Sequence, residues 1–189
     1  MINKEVALIL ELDQLKTVVR KSYIADASRF ENSAEHSWHL AMALMSLKPH
    51  LPEALDLNKA IQMALVHDIC EIGAGDQCAY ENANTHIAVD EKQYLVELKD
   101  KYPQFGEEAL LLWQEYENQT TLESHWVKVV DKLLPFVLNI NTQGKTWKEQ
   151  NISYDMIVAH HEPLIKKYSP SIYAWMMAQL DDAKKDGFI

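Results

Sequence analysis

Ala64-Leu65-Val66-His67-Asp68-Ile69-Cys70-Glu71-Ile72-Gly73-Ala74-Gly75-Asp76 places one histidine and three acids in a stretch that is otherwise apolar or small. Its first half completes a helical pattern that starts at Leu57. Leu57, Ile61, Ala64, Leu65 and Asp68 fall on one stripe, and His67 lies beside it with Ala60, Met63 and Ala64. The same reading extends to both sides. Upstream, His36, Leu40, Leu44 and Leu47 share a helix face; downstream, Val127, Asp131, Leu134 and Leu138 line up in a longer segment. Ionisable side chains therefore sit where helices should bury apolar ones.

A lone buried carboxylate costs several kcal/mol unless it is paired or bound to a cation. Singly, Asp68 could be paired with a lysine and His36 could be a satisfied core histidine. Two inward aspartates together with two inward histidines suggest that the missing partner is a metal ion. Imidazole nitrogens and carboxylate oxygens suit divalent Mn, Co, Fe, Ni, Zn or Mg, and the absence of cysteine from the set excludes a thiolate-type structural zinc site. Four protein ligands on three helices leave positions of a six-coordinate ion for water and substrate.

Helical spacing dominates the whole chain: only 5 Gly and 6 Pro occur in 189 residues, and β-branched alternation is scarce. The pattern predicts helices at about 3–20, 34–48, 57–71, 87–100, 104–117, 121–141 and 170–185, with a further turn or short helix in 154–166. Breaks fall at Lys48-Pro49-His50-Leu51-Pro52, Gly73-Ala74-Gly75, Tyr102-Pro103, Gly144 and Ser169-Pro170, and none is long enough to be a linker. The expected fold is all-α, one compact helical bundle spanning residues 1–189 as a single domain.

With 18 basic and 28 acidic residues the net charge is −10, which argues against a nucleic-acid polymer as partner but leaves room for a nucleotide held by one or two local cations. The opening MINKEVALILELDQ lacks the uninterrupted apolar core of a signal peptide. No apolar run approaches the roughly 20 residues of a membrane span. Cys70 and Cys78 form no disulfide framework, so they read as reduced thiols of a cytoplasmic protein with no membrane partner. Trp113, Trp126, Trp147 and Trp175 read as core or interface anchors, and the apolar, Trp-bearing faces of the later helices fit a homodimer.

Other residues carry narrower expectations. Pro135 lies four positions after Asp131, removes the helical donor to the Asp131 carbonyl and should kink that helix. Lys132 is an outer phosphate contact or a solvated lysine. His39 is near His36 and could reach substrate or a second metal. The His160-His161 pair falls in a polar stretch and, with His50, His86 and His125, reads as surface; Cys70 reads as a small core residue.

Taken together, these residues resemble the HD-domain superfamily of metal-dependent phosphohydrolases. The resemblance rests on Glu31-Asn32-Ser33-Ala34-Glu35-His36, on Ala64-Leu65-Val66-His67-Asp68 and on Val129-Val130-Asp131-Lys132. Glu71-Ile72-Gly73-Ala74-Gly75-Asp76 and Arg29-Phe30-Glu31-Asn32 are similar to blocks of the branch containing 5′-deoxynucleotidases. Trp113-Gln114-Glu115-Tyr116-Glu117 and Asn139 to Trp147 resemble a bacterial group of small HD proteins. The resemblance implies His36, His67, Asp68 and Asp131 as metal ligands, and Glu71 and Asp76 as catalytic and water-handling residues. It implies Arg20 and Arg29 as contacts for a small phosphorylated substrate. On it, Glu71, one turn after His67, orients or deprotonates water, and Asp76 donates a proton to the leaving oxygen. The implied activity is phosphomonoester hydrolysis of nucleoside 5′-monophosphates. Phosphodiester or pyrophosphate hydrolysis, including (p)ppGpp-type substrates, and a non-catalytic metal-containing binding or regulatory module are the alternatives. Three features depart from the nucleotidase branch: the spacing from Arg20 to His36 is one residue longer, Lys21 replaces an aromatic residue, and Gln77 to Asn82 lacks a proline-containing turn.

Overall fold

The computed structural model describes residues 2–76 and 85–189, with side chains of the second stretch described from residue 89 onward. Cys78 and the Gln77 to Asn82 segment lie outside the described residues, as does the side chain of His86. The chain is all-α apart from one two-stranded sheet among the described residues. In order, the elements are α1 (Ile2–Asp13), a 3-10 turn (Gln14–Thr17), β1 (Val19–Tyr23), β2 (Phe30–Asn32), α2 (Ser33–Ser46), a 3-10 turn (Lys48–His50) and α3 (Leu57–Val66). They continue with α4 (Glu71–Ala74), α5 (Thr85–Lys101), α6 (Pro103–Asn118), α7 (Leu122–Asn141), α8 (Lys145–Glu149), α9 (Tyr154–His161), a π-turn (Glu162–Lys166) and α10 (Pro170–Lys185). Among the described residues no helix is long and apolar enough to cross a membrane.

Two compact units divide the chain. Among the described residues one holds 2–20, 32–76 and 85–127, and the other holds 21–31 and 128–189. In the first unit Leu15, Ile69, Cys70, Leu95, Leu98 and Trp113 form a buried cluster, against which Leu8 and Leu12 of α1 lie half-buried. Helix α2 begins where Asn32 and Glu35 cap each other: the Asn32 side chain accepts from the Glu35 N–H at 3.0 Å, and Glu35 Oε2 accepts from the Asn32 N–H at 3.1 Å. That start puts His36 in the first turn, on the face that buries Leu40 and Leu44. Asp56 caps α3 by accepting from the N–H groups of Asn58 and Lys59. Helices α5 and α6 approach closely at Gly106, where a Cβ would stand 2.4 Å from the Cα of Lys99.

In the second unit Phe136, Trp147, Ile157, Ile165, Met176 and Leu180 are fully buried. Asn139 of α7 donates to the Pro135 carbonyl at 3.0 Å and accepts from the Trp147 N–H at 3.4 Å, which ties α8 to the helix before it. Of the four tryptophans named above, Trp113, Trp126 and Trp147 are buried and Trp175 is 46% exposed, so the tryptophan part of the case for a homodimer narrows to Trp175.

Two expectations change. The first helix was expected to run to about residue 20; it ends at Asp13, and Val19–Tyr23 is a strand. The β-branched run Thr17-Val18-Val19 favours extended backbone, and Phe30–Asn32 supplies the partner strand. The helix expected over 57–71 ends at Val66, and the buried face is Ala60, Met63 and Ala64, continued by His67, while Leu65 is exposed. Asp68 is therefore not buried by a helix stripe but by the turn that follows it. Gly106→Ala is expected to destabilise the protein by about 2 kcal/mol or more, because the added methyl meets backbone rather than a movable side chain. A denaturant melt of the variant checks this; an unchanged midpoint would contradict the close approach of α5 and α6.

Candidate metal centre

Helix α3 stops at a histidine that takes over a backbone role. The His67 N–H still bonds to the Met63 carbonyl at 2.9 Å. The His67 ring Nδ1 lies 2.8 Å from the Ala64 carbonyl, the group that the Asp68 N–H would meet in a continuing helix. The backbone then tightens into three-residue turns, with Ile69 N–H to Val66 O at 3.1 Å, Glu71 N–H to Asp68 O at 3.0 Å and Gly73 N–H to Cys70 O at 3.1 Å. Glu71 thus comes back to the site as the first residue of α4, not by helical spacing from His67 as expected.

A carbonyl oxygen only accepts, so Nδ1 of His67 carries the proton and, in the neutral ring, Nε2 presents its lone pair. That Nε2 stands 3.0 Å from Asp68 Oδ1. Two electron-rich atoms at this distance need a positive charge between or beside them, either a second ring proton or a metal ion. The His36 ring lies 5.5 Å from that of His67, centroid to centroid, and one donor atom each from His36, His67 and Asp68 fall within 4.8 Å of one another. All three residues are buried. Two imidazole nitrogens and one carboxylate oxygen fit a borderline divalent ion. The edge of Tyr116 packs on His67 at 5.0 Å. Tyr116 had no expected role, and its place on the Ala109, Leu112, Trp113, Tyr116 stripe is the signal in the sequence that marks it as inward-facing.

Arg20 reaches the same point from β1. Its Nη1 lies 3.1 Å from Asp68 Oδ2, 3.3 Å from Asp76 Oδ1 and 3.9 Å from Glu71 Oε1. Burial raises the Asp68 carboxyl, but with a second proton on His67 the charge and hydrogen bond of that ring, together with the charge of Arg20, outweigh it and bring the pKa to about 2. Glu71 goes the other way: burial first, then the Asp68 charge, push it up to about 9. It is held as a neutral acid unless a cation beside it reverses that balance. Cys70 is a buried core thiol, as expected; its Sγ donates to the His67 carbonyl at 3.4 Å, and burial pushes its pKa well up.

The structure thus brings together His36, His67, Asp68, Glu71, Asp76 and Arg20, all in the first unit. Asp131 and Arg29 belong to the second. Asp131 is half-buried on α7, four residues before Pro135, and Arg29 is exposed with its Nη1 donating to the Phe30 carbonyl at 3.0 Å. Within that unit the expectation for His160-His161 is corrected. His161 is buried, with Nδ1 2.7 Å from the Ile157 carbonyl and its ring edge-on to Phe136 at 5.6 Å. Burial pushes His161 down to about 4, and burial together with the Lys132 charge pushes His160 down to about 3. Lys132 is half-buried, and its ammonium donates to the His160 carbonyl at 3.0 Å. The polar sequence around these histidines concealed that α9 continues into the π-turn and buries its last residue. His39 is half-buried and stacks on the exposed Trp38 at 6.4 Å.

The chain is similar to known proteins. The HD domain family profile matches residues 12–173. A crystal structure from Magnetospirillum magnetotacticum, described as a predicted metal-dependent phosphohydrolase, superposes with a TM-score of 0.92 at 32% identity and covers 100% of this chain and 95% of that one. The Xenopus laevis protein named 5′-deoxynucleotidase HDDC2 is 34% identical over 124 residues, 63% of this chain and 59% of that protein. The human protein of the same name is 29% identical over 126 residues, 63% of this chain and 58% of that protein. The match therefore spans less than two thirds of the length of these relatives.

The raised Glu71 pKa has a stability consequence. In chelator-treated protein the neutral acid contributes fully below its ordinary value of 4.5, and that contribution is lost as pH rises towards about 9. Glu71→Gln should match the parent at pH 4.5 and exceed it at pH 7 by on the order of 1–3 kcal/mol, with a larger gap at pH 8.5. Melts at the three pH values measure the gap; one that shrinks with rising pH would refute the assignment.

Proposed function

Because the chain belongs to the HD-domain family, we propose that it is a divalent-metal-dependent phosphohydrolase, a phosphomonoesterase acting on nucleoside 5′-monophosphates. The observation that carries this reading is the opposition of His67 Nε2 and Asp68 Oδ1 at 3.0 Å, with the other ring nitrogen committed to a carbonyl and His36 alongside. His36, His67 and Asp68 are the ligands in this proposal. Asp131 joins them on the strength of the resemblance, and the family match, running through residues of both units, supports reading them as one HD domain. The relatives named 5′-deoxynucleotidase favour a nucleotide monoester over a diester or pyrophosphate. A free buried thiol at Cys70 fits a reducing, cytoplasmic setting.

A divalent ion held by these side chains supplies positive charge to the phosphate and acidifies water. The chain's own residues supply the rest. Arg20 donates to phosphate oxygens through the planar fork of its guanidinium. Glu71 takes the proton of the attacking water once a cation offsets the burial and the Asp68 charge that otherwise keep it protonated. Asp76, behind the glycine turn at Gly75, in its protonated form gives a proton to the leaving oxygen, and the proton that Glu71 takes from water can replace it.

The test is phosphate release from nucleoside 5′-monophosphates, dinucleoside monophosphates and nucleoside pyrophosphates, by stripped protein reloaded with Mn²⁺, Co²⁺, Ni²⁺ or Mg²⁺. Metal-dependent release from the monophosphates is expected, and Asp68→Ala should lose bound metal and roughly 100-fold or more of the rate. Turnover with none of the ions, or an Asp68→Ala protein that keeps both metal and rate, would overturn the proposal.

A further inference from the structure

Arg20 does more in this structure than a phosphate contact requires. Along β1 the side chains alternate, with Val19 and Lys21 exposed and Arg20 and Ser22 turned inward. The two hydrogens of Arg20 Nη1 match its two close acceptors, Asp68 Oδ2 at 3.1 Å and Asp76 Oδ1 at 3.3 Å. Asp68 is thereby divided. One oxygen belongs to the arginine, and the other, Oδ1, faces His67 Nε2 at 3.0 Å. Rotation of an aspartate carboxylate about its last torsion is soft, so holding its plane with one oxygen towards the imidazoles needs a tether. Arg20 is that tether: it is 13% exposed, and its own strand places it without help from the ion.

We infer that Arg20 is a positioning residue for Asp68, holding Oδ2 so that Oδ1 is presented beside His67, and tying Asp76 to the same nitrogen. The inference rests on the metal-centre reading above. It has a consequence of definite sign. The positive charge of Arg20 alone repels a divalent ion, so removing it should tighten ion binding if charge were all that mattered. Removing a hydrogen bond that orients a ligand should weaken binding, typically 10- to 100-fold.

The experiment is titration of stripped wild-type, Arg20→Met and Arg20→Gln proteins with Mn²⁺, reading the dissociation constant, with thermal melts to verify folding. Arg20→Met, which has no donor, is expected to lose about tenfold or more in Mn²⁺ affinity. Arg20→Gln, neutral and with an amide that stops two bonds short of the Nη1 position, is expected to weaken Mn²⁺ binding as well, by about tenfold. Equal or tighter binding by Arg20→Met would overturn the inference. If the methionine variant does not fold, the glutamine variant decides: a loss of about tenfold supports the tether, and equal or tighter binding overturns it. Failure of the centre itself reads differently. Wild-type protein that binds no Mn²⁺, or Asp68→Asn protein that binds it as well as wild type, removes the proposed metal site rather than the role of Arg20 within it.

Discussion

One hydrogen bond organises the first unit, that between the His67 ring and the Ala64 carbonyl. It occupies the acceptor that would have extended α3, so the helix ends and the chain turns tightly through Asp68, Ile69 and Cys70. It also sets the tautomer, so that the ring's other nitrogen turns its lone pair towards Asp68. The turn buries Ile69 and Cys70 in the Leu15, Leu95, Leu98, Trp113 cluster, and that packing holds the turn in place. A local choice of hydrogen-bond partner thus fixes both the end of an element and the direction of a donor atom.

The charges around that turn are balanced within a few ångströms. Arg20 compensates Asp68 and Asp76, and Glu71 is left to accommodate burial and the Asp68 charge by keeping its proton. Low dielectric makes each of these effects large, which is why neighbouring carboxyls of similar intrinsic acidity diverge to about 2 and about 9. A divalent ion would draw both towards the charged form.

The second unit follows a comparable logic in a different place. Pro135 removes a helical donor within α7, and nearby backbone finds other partners: Asn139 donates to the Pro135 carbonyl, while His161 Nε2 lies 3.2 Å from the Lys132 carbonyl. Lys132 in turn donates to the His160 carbonyl, so its ammonium ties α7 to the end of α9. The half-buried Asp131 precedes this clasp by one residue.

Much of this was legible in the residues themselves. Helical periodicity carried the all-α class, the burial of His36 with Leu40 and Leu44, and the approximate places of α5, α6, α7 and α10, because a buried face repeats every three to four residues whatever it packs against. That His67 and Asp68 stand out as polar groups among apolar ones was also readable, while Glu71 and Asp76 were singled out by the resemblance. Periodicity failed where the decisive partner is distant in sequence. The strand at Val19–Tyr23 depends on pairing with Phe30–Asn32, and the end of α3 depends on a ring tautomer. The burial of His161 depends on Phe136, 25 positions away, and on α9 continuing into a π-turn. The amino-acid sequence alone determined which side chains could form a site. Tertiary structure alone decided how Arg20, 48 positions from Asp68, divides its two oxygens, because hydrogen bonds and charges act across space while a sequence pattern records only spacing along the chain.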